Sequence, residues 1–149
     1  MRTTGQLLAP LAAGAVVVGL AGVLGGCATI ADAAQKQHEE VFDSYRTAQQ
    51  DWRGPSLPAW VPQDATRIRA LSTDNGSDVM VRVDSTDSLP AQCASADRKN
   101  LPYTTRDWAP DAAELPDRVT RCGDWEIVST DDGYYAWFHA AAAGDLPRG

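Results

Sequence analysis

The chain has 149 residues, of which 13 are basic and 20 acidic, for a formal net charge of −7 at pH 7. A nucleic-acid binder needs a basic face to displace phosphate counterions, and an acidic protein is repelled by anionic lipid headgroups. Composition therefore speaks against nucleic acid as a partner and against membrane attachment through surface charge; the length suits one modest domain.

At the N-terminus, Arg2 is the only charge before Asp32, and it precedes an apolar stretch from Leu7 to Leu24 interrupted by Pro10. That is the layout of a secretory signal: a positive segment followed by an apolar one. The stretch reaches the lower limit of a spanning helix, about 18 residues, so an uncleaved transmembrane anchor is the competing reading. The run ends in Leu24-Gly25-Gly26-Cys27-Ala28. This resembles the lipobox of bacterial lipoproteins, with an aliphatic residue three positions before the cysteine and two small residues between. The resemblance covers residues 1–28. It implies acyl transfer to the Cys27 thiol, cleavage after Gly26, and a mature chain held by lipid on the outer face of the cell membrane. Each buried methylene adds about 0.8 kcal/mol, so two or three acyl chains anchor where one binds only reversibly.

Three cysteines are an awkward number for an exported protein. With Cys27 consumed by lipid, Cys93 and Cys122 remain as an even pair in an oxidising compartment. Neither has a Cys-x-x-Cys neighbour or a nearby His, which favours a structural disulfide over a metal pair or a redox couple.

Along the mature chain, residues 31–52 hold no Pro or Gly and are rich in helix formers, with Val41, Tyr45, Ala48 and Trp52 recurring at spacings of three or four. The spacing predicts a helix over 31–52 within a lipid-anchored tether at 27–56, ended by Arg53-Gly54-Pro55. The globular domain is expected at 57–143, with a disordered tail at 144–149. Two hairpins are predicted in it. Thr66–Leu71 and Asp78–Val83 flank Asn75-Gly76, a pair suited to a type I′ turn. Trp125–Ser129 and Tyr134–His139 flank Asp131-Asp132-Gly133, where Gly133 is expected to take a left-handed conformation. Between the hairpins, Pro90, Pro102, Pro110 and Pro116 predict turns and a short helix near Pro90–Cys93 rather than long elements. The fold class expected is α+β: one helix plus a small antiparallel sheet with one disulfide.

Gly-x-Ser-x-Gly is absent, and so is a Gly-rich phosphate loop. His38 and His139 are the only histidines, which excludes a two-histidine zinc motif, so no metal and no cofactor is expected. Asp84 with Asp87, Asp111 with Glu114, and Asp131 with Asp132 are carboxylate pairs of the type acid–base hydrolysis needs. All fall in predicted turns, where Asp serves the backbone. Asp74-Asn75-Gly76-Ser77-Asp78 lacks the spacing of a calcium loop.

Four of the five tryptophans (Trp60, Trp108, Trp125 and Trp137) fall in the globular part. Such residues fill the core of a small domain or, exposed, form an aromatic platform for a glycan or protein of the cell envelope. Tyr135 and Trp137, on one face of the last strand, are the candidate platform, with Trp125 and Phe138 expected inside. The expectation is a lipid-anchored extracytoplasmic binding or envelope-associated module, no catalytic residues being assigned; the alternative is a small envelope hydrolase using a carboxylate pair.

Overall fold

The computed structural model describes residues 37–53 and 56–140. The apolar N-terminus at 1–26, Cys27 and the tail at 144–149 lie outside the described residues. The elements are β1 (Gln37–Ser44), α1 (Tyr45–Asp51), β2 (Thr66–Thr73), β3 (Asp78–Asp84), β4 (Ala94–Asp97), β5 (Arg118–Cys122), β6 (Trp125–Thr130) and β7 (Gly133–His139). The strands form one antiparallel sheet in the order β1-β2-β3-β7-β6-β5-β4. The two predicted hairpins are β2–β3 and β6–β7, and they join edge to edge through β3–β7, with Val81 opposite Ala136.

The helix expected over 31–52 is overturned at 37–44, while residues 31–36 lie outside the described residues. Residues 37–44 are a strand that pairs with β2 from Gln37↔Thr73 to Ser44↔Thr66. Helix propensities differ by less than about 0.7 kcal/mol per ordinary residue, which a full ladder of backbone pairing and the burial of Phe42 override. Of the described residues in that span, only Tyr45–Asp51 is helical. Ser44 caps it by accepting the Thr47 N–H at 3.3 Å.

The turns also differ in detail. Among residues 74–77 only Gly76 has positive φ, at 66°, and its N–H donates to the Thr73 carbonyl at 2.8 Å. A type I′ turn needs positive φ at both central residues, so the Asn75-Gly76 pair acts otherwise. Asn75 Oδ1 accepts from the Ser77 N–H at 3.1 Å, and Gly76 takes the left-handed step. At the other hairpin Gly133 has φ 159°, close to extended, so the expected left-handed residue is not there. Its glycine is required by space: a Cβ would lie 2.4 Å from the Val83 carbonyl oxygen and 2.7 Å from the Ser85 nitrogen.

The proline-rich interval contains two strands that sequence reasoning did not assign, β4 and β5. At Pro90–Cys93 it holds a turn rather than a helix, the Cys93 N–H donating to the Pro90 carbonyl. Cys93 and Cys122 are disulfide-bonded across a sequence separation of 29.

Both faces of the sheet are covered. On one, Phe42, Ile68, Ala70, Val81, Ala136 and Ile127 pack under α1, through Ala48, and under Trp60, Val61 and Ala65. On the other, Leu71, Met80, Tyr135 and Trp137 pack under the irregular segment that carries Trp108 and Leu115. That second cover decides the fate of the last strand's aromatic face. Trp60 and Trp125 adjoin on the first face, ring centroids 5.8 Å apart, and Trp125 meets Phe138 at 5.7 Å.

Candidate functional site

Tyr135 and Trp137 are not a platform. Their relative exposures are 0% and 1%, because the segment carrying Trp108 and Leu115 closes over them. Trp125 and Phe138, expected inside, are only half-buried. The alternation along β7 was legible; the identity of the covered face was not, because an irregular segment does the covering.

A buried carboxylate holds that segment down. Glu126, on β6, is almost fully enclosed. Its Oε1 accepts from the Lys99 backbone N–H at 2.5 Å and from Arg121 Nη2 at 3.1 Å. Its Oε2 accepts from the Asn100 N–H at 3.0 Å and from Trp137 Nε1 at 3.1 Å. Four donors compensate the desolvated charge, and all four are protein groups, which makes Glu126 a structural acid. Further along, Trp108 Nε1 donates to Glu39 Oε1 at 2.9 Å, tying the same segment to β1.

The carboxylate pairs singled out in the sequence have local work. Asp111 Oδ1 accepts the Ala113 N–H at 2.9 Å within a turn that includes Glu114. Asp84 is ion-paired with Arg67. Asp131 and Asp132 form the tip of the β6–β7 hairpin, with Asp132 3.9 Å from Arg82. The backbone N–H of Asp87 donates to Asp64 Oδ2 at 3.2 Å. Asp64 also accepts from the Ser85 hydroxyl and from Thr86, and these bonds, the Ser85 one foremost, hold its carboxyl below the usual carboxylate range.

His139 pairs through Nδ1 with Asp78 on the neighbouring strand, and Ser77 Oγ donates to the same carboxylate at 2.7 Å. The carboxylate lies between the hydroxyl and the imidazole. A nucleophilic triad needs the imidazole in the middle to take the hydroxyl proton, so Ser77, Asp78 and His139 are not one. His38 pairs with Asp74. Among the described residues no three His, Cys, Asp or Glu side chains converge as a metal site.

What the fold does assemble is a shallow open groove of about 430 Å³ on the sheet face that also carries Tyr135, lined by Arg67, Arg69, Arg82, Asp84, Asp132 and Trp108. It adjoins a second, more acidic depression lined by Asp64, Asp131 and the Ser85-Thr86 turn. Arg69 and Arg82 are register partners on β2 and β3. Arg67 sits in a bulge, since Thr66 faces Asp84 and Arg69 faces Arg82, leaving two residues of β2 against one of β3. Its φ of 45° is the only positive value at a non-glycine among the described residues. Arg82 Nη1 donates to the Trp108 carbonyl at 2.8 Å.

Sequence reasoning missed these arginines. One signal was available: pairing β2 with β3 about the 73–78 turn sets Arg69 against Arg82. The bulge that turns Arg67 into the same groove left no such mark. No family model, curated protein or solved structure matches the chain.

Proposed function

We propose that the chain is a lipid-anchored extracytoplasmic lipoprotein, a binding module that presents the arginine-lined groove to a glycan or protein of the cell envelope. The observation that carries the reading is the Cys93–Cys122 disulfide. A disulfide fits an oxidising compartment. It also leaves Cys27 as the one remaining thiol of the chain, at the end of an apolar N-terminal run and directly after Leu24-Gly25-Gly26. Export and acylation account for all three cysteines together.

The placement of β1 supports a defined presentation. Gln37 follows Cys27 by ten residues, and an extended chain of that length reaches at most about 35 Å. Gln37 lies at the end of the sheet with Thr73, Asp78 and His139, whereas Arg67, Asp84 and Asp132 lie toward the other end of the strands. A lipid on Cys27 keeps the first end near the bilayer and leaves the groove facing outward. Binding is preferred to hydrolysis because two of the groove's three carboxylates are engaged by arginines, Asp84 by Arg67 and, more loosely, Asp132 by Arg82.

Mass spectrometry of the membrane-bound protein from a bacterial host tests the reading. The expected product begins at Cys27 and carries acyl chains on it, and Cys27→Ala accumulates as unprocessed precursor. An unmodified Cys27 in membrane-bound wild-type protein refutes the proposal.

A further inference from the structure

Two arginines of the groove occupy opposed positions on neighbouring strands. Arg69 and Arg82 are opposed register partners, a position in which like charges destabilise a sheet. The chain offsets the repulsion only in part. Arg82 is steered by the Trp108 carbonyl, which leaves its Nη2 only loosely opposed by Asp132 at 3.9 Å. The Arg69 side chain is exposed and makes no hydrogen bond or ion pair with the described residues. Asp107, which also lines the groove, makes no ion pair with any of the three arginines. Arg67 completes the cluster from a bulge at positive φ, a conformation an Arg does not adopt without cost. A sheet that places like charges opposite one another, and spends backbone strain to add a third, breaks local rules where breaking them serves a site.

We propose that Arg69 and Arg82, with Arg67 at the rim, bind an oxyanion group of the ligand, a carboxylate or a phosphate. The planar fork of each guanidinium offers two parallel N–H donors to two oxygens, and an oxyanion between Arg69 and Arg82 turns the repulsion into two charge-assisted contacts. Asp107 is the internal competitor for the same cations. The inference rests on the groove being the binding face; it is independent of how the chain is attached to the membrane.

The test uses the full chain in detergent micelles at low ionic strength, titrated separately with inorganic phosphate and with acetate and read from the guanidinium Nε–Hε resonances. Saturable shifts at Arg69 and Arg82 are expected with at least one of them, and the one that binds identifies the ligand's acid. Arg69→Gln weakens binding about tenfold or more, the loss of one charge-assisted contact. Its melting midpoint without anion is equal to or above that of the wild type, because the opposed charge is gone, so the loss is not unfolding. Asp107→Asn tightens binding. Arg118→Gln, at a residue paired with Asp97 on the far side of the sheet, leaves it unchanged. Absence of saturation with both anions, or equal affinity in Arg69→Gln, overturns the site. Acylation is read separately: an acylated chain that binds neither anion removes the ligand class and leaves the lipoprotein reading standing. An unacylated chain that binds does the reverse.

Discussion

Trp137 and Glu126 face each other across the β6–β7 pairing, and the indole N–H donates to the carboxylate at 3.1 Å in the buried interior. The same carboxylate takes the backbone N–H groups of Lys99 and Asn100 and one guanidinium nitrogen of Arg121. Glu126→Ala strands three N–H donors and a partly buried cation, and is expected to cost about 3 to 5 kcal/mol. Glu126→Gln keeps one acceptor oxygen and falls between. Urea denaturation of the two variants checks the order, and a harmless Glu126→Ala would show that water replaces the carboxylate.

The adjacent aromatic residues of β7 differ in depth, Trp137 enclosed at 1% exposure and Phe138 half-buried against Trp125. Trp137→Ala is expected to cost about 3 to 5 kcal/mol. Phe138→Ala costs less, because part of its ring already meets water. The reverse order in chemical denaturation contradicts the covered face described above.

Gly133 lies under the end of β3. An added methyl would meet the Val83 oxygen at 2.4 Å, the Ser85 nitrogen at 2.7 Å and the Asp84 Cα at 2.9 Å, all backbone atoms that cannot rotate away. Gly133→Ala is therefore expected to destabilise by about 1 to 3 kcal/mol through overpacking. Gly76→Ala meets no atom within 4 Å and is strained only by its φ of 66°. Thermal melts of the pair separate a steric requirement from a conformational one.

Burial pushes the Tyr103 phenol up from 10.0 to about 12, and burial also raises that of Tyr135, the nearby Tyr103 adding to it. In the unfolded chain these phenols ionise near the ordinary value, so the folded state holds their protons longer. The contribution to stability is complete below pH 10.0 and is lost as pH rises toward and through about 12. Alkaline unfolding followed by tyrosinate absorbance checks this. Tyr103→Phe, which cannot ionise, flattens the decline; an unchanged profile would mean that the ring opens to water before it titrates.

Sequence legibility followed the locality of the cause. The strands of both hairpins carry their own alternation, and the disulfide follows from parity once Cys27 is set aside. Strand β1 was hidden because Gln37, Glu39 and Glu40 favour helix locally, and the partner that makes them a strand, β2, lies about 30 residues away. Strands β4 and β5 were hidden by the prolines around them. Their pairing, Ala94↔Arg121 to Asp97↔Arg118, spans a loop that no short-range signal foretells. The arginine groove depends on a bulge and on a cross-strand register, and Glu126 reads as an ordinary polar alternation until Lys99 and Asn100 fold over it.

With both faces of the sheet covered, its backbone edges remain. Among the described residues β4 closes one edge with only four residues, while β1 forms the other with eight. An edge of that length is a template on which a second copy can add a strand and begin an aggregate. Along β1 stand the exposed Glu39 and Asp43, so two such strands laid side by side bring carboxylates together. The chain's negative charge is thus spent where backbone is open, as a guard against self-addition. Because that guard is Coulombic and solvent-exposed, salt weakens it.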